Sequence, residues 1–111
     1  MSVTQVTELV GCEQWRALVQ KYDWDASIAM AVMEGESSCI ADRVGDDYAI
    51  AGLHRVSCGL FQVRTLDDRP TCEQLKDPAT NIEWAYKVYA GKGNWKPWTV
   101  FNTGEYKQFL R

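Results

Sequence analysis

The run Ala29-Met30-Ala31-Val32-Met33-Glu34-Gly35-Glu36-Ser37-Ser38-Cys39 constrains this chain more than any other stretch. Six consecutive apolar residues, 28–33, lead into two carboxylates with no polar stripe between them. A helix that is apolar on every side belongs in the middle of a domain, because each face needs a partner. Asp25 offers an N-cap oxygen, so the pattern predicts a helix over Ala26–Ser37. Such a helix carries an acid from the interior to a rim. Apolar walls and the partial negative charge of the helix C-terminus both disfavour the anion there, and so raise the pKa. A general acid working near neutral pH needs that shift. The same residues also fit a solvated pair of glutamates closing a helix. Glu34 and Glu36 are two apart, about 200° around the axis, so they cannot form one paired site. Helical periodicity does not choose between them.

The 111 residues suit one domain, 1–111, with a core that requires neither metal nor oligomerisation. Net charge is −3 with no basic block. That argues against nucleic acid as a partner and gives no support for strong electrostatic capture by an acidic surface. Residues 1–10 lack the basic and apolar regions of a secretory signal, and no apolar run is long enough to span a bilayer. Five tryptophans and five tyrosines either fill the core or line a groove, where they would stack on partly apolar ligands such as sugar rings. Cys12, Cys39, Cys58 and Cys72 show no C-x-x-C spacing and do not suit a tetrahedral zinc site. No metal or cofactor is expected. Two disulfides, one disulfide or four thiols remain open, with three full pairings. Disulfides are favoured because Cys39 and Cys58 flank two stretches expected to meet.

In chain order, Trp15, Leu18, Val19 and Tyr22 make one apolar face of a helix over 12–22. Residues 42–57, with Gly45, Asp46, Asp47 and Gly52, read as a loop with one or two short strands. An irregular segment of that length tends to be functional. His54 lies in it without any H-E-x-x-H pattern and reads as an ordinary surface residue. Gly59-Leu60-Phe61-Gln62-Val63 is either a buried strand whose Gln62 bonds the backbone or a loop aiming an amide into a cleft. Thr71-Cys72-Glu73-Gln74 fits a capping box, and Asp77-Pro78 an N-cap before proline. The helix that follows buries Ile82, Ala85, Tyr86 and Tyr89 and is expected to close at Gly91; a short helix over 95–101 and a final turn or two over 105–110 complete the chain. The fold class is α+β, predominantly α, with a buried central helix and a small irregular β part.

Four segments in order resemble the lysozyme-like superfamily, in particular its soluble lytic transglycosylase and goose-type lysozyme branch. They are Glu36-Ser37 after an apolar helix, Ser57-Cys58-Gly59-Leu60-Phe61-Gln62-Val63, Asp77-Pro78-Ala79-Thr80-Asn81-Ile82, and 95–106. The resemblance covers 15–110 and selects Glu36 over Glu34 as the catalytic acid. It implies that Ser37 supports the turn after it, and that Gln62, with Ser57 and the backbone around Phe61, contacts sugar near the scissile bond. Asn102 and Tyr106 would lie on the opposite wall. The chain departs from the family pattern in three places. Phe101 stands where a tyrosine is common, Cys58 sits in a stretch that is usually small and polar, and the Pro-x-Thr-Ala after the Gln motif is missing.

The substrate implied by the resemblance is the peptidoglycan strand, alternating N-acetylmuramic acid and N-acetylglucosamine. A hydrolase commonly needs a second carboxylate to activate water or trap the sugar. Asp42, Asp46 and Asp47 are the candidates, and all three also fit as plain loop acids. A lytic transglycosylase needs one carboxyl, and that outcome is favoured. A third reading, from another class, is an inactive glycan-binding or structural module of a cell-wall or virion assembly. Action outside the cytoplasm is expected, in the wall, the periplasm or a phage particle, by a monomeric domain alone or within a larger protein.

Overall fold

The computed structural model describes residues 10–50, 53–66 and 68–111, with side chains except at 46–50 and 53–55. A 3-10 turn, Gly11–Trp15, runs into helix α1 (Arg16–Val19), followed by α2 (Ala26–Ser37). Strands β1 (Val44–Ile50), β2 (Leu53–Cys58) and β3 (Val63–Arg64) form an antiparallel sheet in that order. Helices α3 (Cys72–Leu75), α4 (Pro78–Lys92) and α5 (Thr99–Asn102) lead to a last 3-10 turn, Glu105–Phe109. The architecture is α+β and mainly helical, as the pattern predicts.

Helix α2 occupies the position its composition demands. Ala29, Met30, Ala31, Val32 and Met33 are all buried, and the Asp25 carboxylate accepts from the Ile28 N–H at 3.1 Å. Val19, Leu60, Phe61, Leu75, Ile82, Ala85, Trp95, Trp98 and Val100 belong to the same core. Each large apolar side chain buried in it is worth about 1.5–3 kcal/mol. Trp24 ties two parts of this core together. Its ring stacks on Trp95 at 5.1 Å and lies 5.4 Å from Phe61, while its indole N–H reaches the Val19 carbonyl at 2.8 Å. Three of the five tryptophans, Trp24, Trp95 and Trp98, therefore serve the core first.

Four local expectations are corrected. The first helix is short and split: residues 11–15 are wound as a 3-10 turn, and only Val19 is fully buried. A disulfide from Cys12 to Cys39 and a hydrogen bond from the Trp15 indole to the Cys39 carbonyl pull this start toward the end of α2. Residues 42–57 are mostly strand, because backbone pairing with β2 carries a β1 whose side-chain pattern is weak. Their register runs Val44↔Cys58 and Asp47↔Val56, with a bulge between. Helix α4 passes Gly91 and ends at Lys92. Gly93, at φ 72°, supplies the left-handed cap and donates its N–H to the Tyr89 carbonyl. The last α-helix starts at Thr99, after a turn that buries Trp95 and Trp98.

The capping box at Thr71 forms with Gln74, and Asp77 caps α4 before Pro78. All four cysteines are paired, Cys12 with Cys39 and Cys58 with Cys72. Among the described residues no helix is long and apolar enough to cross a membrane. The side chains of Asp46, Asp47 and His54 lie outside the described set.

Candidate functional site

The last turn of α2 is built to stop sharply. Ser38 and Cys39 both take left-handed conformations, φ 54° and 60°, and neither is glycine. Ser37 makes this possible. Fully buried, its hydroxyl donates to the Met33 carbonyl at 3.2 Å and accepts the Cys39 N–H at 3.1 Å. Ser37 thus shapes the turn from a fully buried position. Gly35 meets α5. A Cβ there would stand 3.4 Å from three carbons of Val100, at the edge of ordinary contact, so α5 lies directly against this face of α2.

Glu34 and Glu36 leave the helix in different directions, as their spacing requires. Glu34 pairs with Arg111 at 2.5 Å. Glu36 is half-buried at the wall of a groove of about 630 Å³, within the size range of small-molecule sites. Burial, with the negative charge of Glu105 adding to it, pushes the Glu36 carboxyl up to about 7. A carboxyl in that state carries a transferable proton at neutral pH.

Gln62 faces the same groove from the turn that joins β2 to β3. Its backbone is left-handed, φ 49°, a strained state for a non-glycine residue. The side chain holds the turn in place: its amide nitrogen donates to the Arg43 carbonyl at 3.0 Å and the Gly59 carbonyl at 2.9 Å. A Cβ on Gly45 would fall on the Gln62 side-chain oxygen, so glycine there admits the amide beside β1. Both sequence readings of Gln62 therefore meet in one residue: it bonds the backbone and it lines the cleft. Its donor half is occupied within the protein. Ser57 of β2, Trp98 and Thr99 complete the wall near these groups.

The remaining expected contacts lie elsewhere. Phe61 is fully buried; its N–H goes to the Asn81 side chain at 2.8 Å, and its carbonyl accepts from the Trp98 indole at 2.9 Å. It supports the site from below. Asn102 is exposed and donates to the Lys96 carbonyl at 2.8 Å, while Tyr106 stacks on Phe101 at 4.9 Å. Neither lines the groove. Asp42 is exposed and also off the groove. The structure thus brings together Glu36, Ser57 and Gln62, and does not bring Ser37, Phe61, Asn102 or Tyr106 to the same surface.

Two residues with a part in the site have no role assigned from the sequence, although Asn81 stands in one of the four motifs. Glu105 acts on Glu36 across the fold, which no local pattern signals. Asn81 is fully buried and bonds Phe61 N–H, the Cys58 carbonyl and the Leu75 carbonyl. Its signal was a polar residue beside Ile82 and one turn before Ala85, on the apolar side of α4. Among the described residues no group of three His, Cys, Asp or Glu side chains converges.

Residues 19–100, about three quarters of the chain, match the model of a family described as a lysozyme-like domain. The mainly helical α+β architecture agrees with that fold. No curated protein and no solved structure matches the chain. Domains of this kind are in general glycosidases or lytic transglycosylases that cleave peptidoglycan.

Proposed function

Because the chain belongs to the lysozyme-like domain family, we propose that it cleaves the MurNAc-β-1,4-GlcNAc bond of peptidoglycan as a lytic transglycosylase, with Glu36 as general acid and then base. One observation carries the reading: a carboxyl pushed up to about 7 by burial stands on the wall of a groove with room for sugar. In the first step Glu36 gives its proton to the leaving glycosidic oxygen as the bond to C1 breaks. In the second, the Glu36 carboxylate takes the proton from the muramyl C6 hydroxyl, whose oxygen attacks C1. A 1,6-anhydro ring closes and Glu36 is protonated again. Gln62, Ser57 and Trp98 would hold the sugars against the acid.

Transglycosylation is preferred over hydrolysis because Glu36 is the one carboxylate among the described lining residues. A hydrolase would commonly place a second carboxylate across the bond. The proposal extends to a single domain that acts as a monomer on glycan strands outside the cytoplasm, free, phage-borne or within a larger protein. Digestion of purified sacculi followed by mass spectrometry tests it. Anhydro-muramyl products are expected; products heavier by one water assign a hydrolase instead. No release of glycan at all leaves only a binding module.

A further inference from the structure

Among the described residues, the groove lining carries a charge opposite to that of the chain. Net charge is −3, yet the described lining includes four cations, Arg43, Arg64, Arg69 and Lys92, against the single carboxyl of Glu36. With a pKa of about 7 that carboxyl is about half ionised at neutral pH, so it offsets at most one of the four positive charges. The cations also extend beyond the groove. Arg69, Val88 and Lys92 line a second hollow of about 310 Å³ together with Trp84, Lys87 and Asp68. The groove therefore runs on over α4 into a shelf. Trp84 is half-buried there, with the Lys87 ammonium 4.4 Å above its ring, and Asp68 is the one acid among the shelf's described residues. Arg69 donates to the Arg64 carbonyl at 3.2 Å, which holds its guanidinium at the junction.

A negative molecule with a local positive groove repels polyanions at range and attracts acidic groups only at short distance. That arrangement suits carboxylates delivered by an otherwise uncharged sugar chain. We propose that the Arg69 and Lys92 end of the groove, continued by the Trp84 shelf, is a carboxylate-binding subsite for the acidic substituents of the glycan. These are the lactyl group of muramic acid or the acidic residues of its peptide stem. The assignment rests on the reading of the groove as a peptidoglycan site. It adds that substituents are selected as well as sugars.

Binding isotherms of the Glu36→Gln protein, read by tryptophan fluorescence, test the subsite with three probes. A GlcNAc hexamer carries no carboxylate, strands stripped of peptide carry the lactyl carboxylate, and intact strands carry the stem. Affinity is expected to rise at least ~5-fold from the first probe to the best one. Arg69→Gln and Lys92→Gln should each remove about 2- to 5-fold of that gain, the scale of a partly exposed charge contact. Lys21→Gln, at an exposed lysine in the turn after α1, should leave the gain intact, and high salt should erase it. A gain at the stripped strand identifies the lactyl group as the ligand; a gain only at the intact strand identifies the stem. Equal affinity for all three probes, no binding, or a gain untouched by both substitutions overturns the subsite. Cleavage of the same strands by the unsubstituted protein is followed in parallel. Graded binding without cleavage retains the subsite and removes the enzymatic reading, and cleavage with flat binding does the reverse.

Discussion

The Glu36 carboxyl holds its proton at the expense of the fold. Its pKa is about 7 where it stands, against an ordinary 4.5, so the unfolded chain releases the proton first. Between those values the native state binds more protons than the unfolded one, and stability falls as pH rises through that window. Below pH 4.5 the loss is absent; above 7 it is complete, worth about 1–3 kcal/mol once solvent at the rim is allowed for. Glu36→Gln keeps the shape and removes the ionisation. Its Tm should match the unsubstituted protein at pH 4 and exceed it by several degrees at pH 8, while cleavage drops by at least ~10²-fold. An equal Tm difference at both pH values would falsify the buried-acid account. Glu105 tests the second cause of the shift. Removing its charge in Glu105→Gln lowers the Glu36 pKa, so the alkaline limb of kcat/KM should move to lower pH with folding intact. A limb that stays in place assigns the whole effect to burial.

At the scale of elements, the turn that presents Gln62 hangs on α4. Asn81 gives both amide hydrogens to the Cys58 and Leu75 carbonyls and accepts the Phe61 N–H. Gly59 completes the lock, because at φ 80° its missing Cβ leaves room for the Asn81 amide. Asn81→Ala strands three buried backbone groups and should cost about 3 kcal/mol or more, read as a lower urea midpoint. Gly59→Ala should cost a comparable amount, and the double variant less than the sum, because without Asn81 part of the clash is gone. Strict additivity would separate the two residues. These elements also show what a sequence can disclose. Asp25, Thr71 and Asp77 mark helix starts because an N-cap is decided within four residues, and the all-apolar stretch placed α2 at the centre. Short strands are expected within 42–57, but the full extent of β1 is hidden because its pairing with β2, more than its own side-chain pattern, sets its conformation. For Asn81 the chemistry was visible as a polar residue on a buried face, while its partners lay as far as 23 residues away. The resemblance gives Ser37 its place in the turn, which its two hydrogen bonds fill, whereas the burial of Phe61 depends on the core around it, which family position does not display.

At the scale of the whole molecule, charge and covalent ties both escape a count of residues. A total of −3 concealed a described groove lining of four cations and one carboxyl, because the average says nothing of which side chains converge. Cysteine pairing was likewise open, since the number of cysteines does not determine which ones meet. The two bridges span 27 and 14 residues. In the chain-entropy picture each contributes about 3–4 kcal/mol by restricting the unfolded chain. A domain of this size has about 5–15 kcal/mol in all, so reduction should remove half or more of it and lower Tm by well over 10 °C. The bridges should also differ in what they protect. Cys12–Cys39 holds the chain three residues beyond Glu36, so Cys12→Ala/Cys39→Ala should admit water to the helix end and shift the alkaline limb of activity to lower pH. Cys58–Cys72 borders the Gln62 turn, so Cys58→Ala/Cys72→Ala should raise KM and leave that limb in place. Thermal melts give the stability of each variant, and pH profiles below its Tm give the rest. A reduced protein that melts within a few degrees of the oxidised one would remove the bridges from any part in holding the acid where it is.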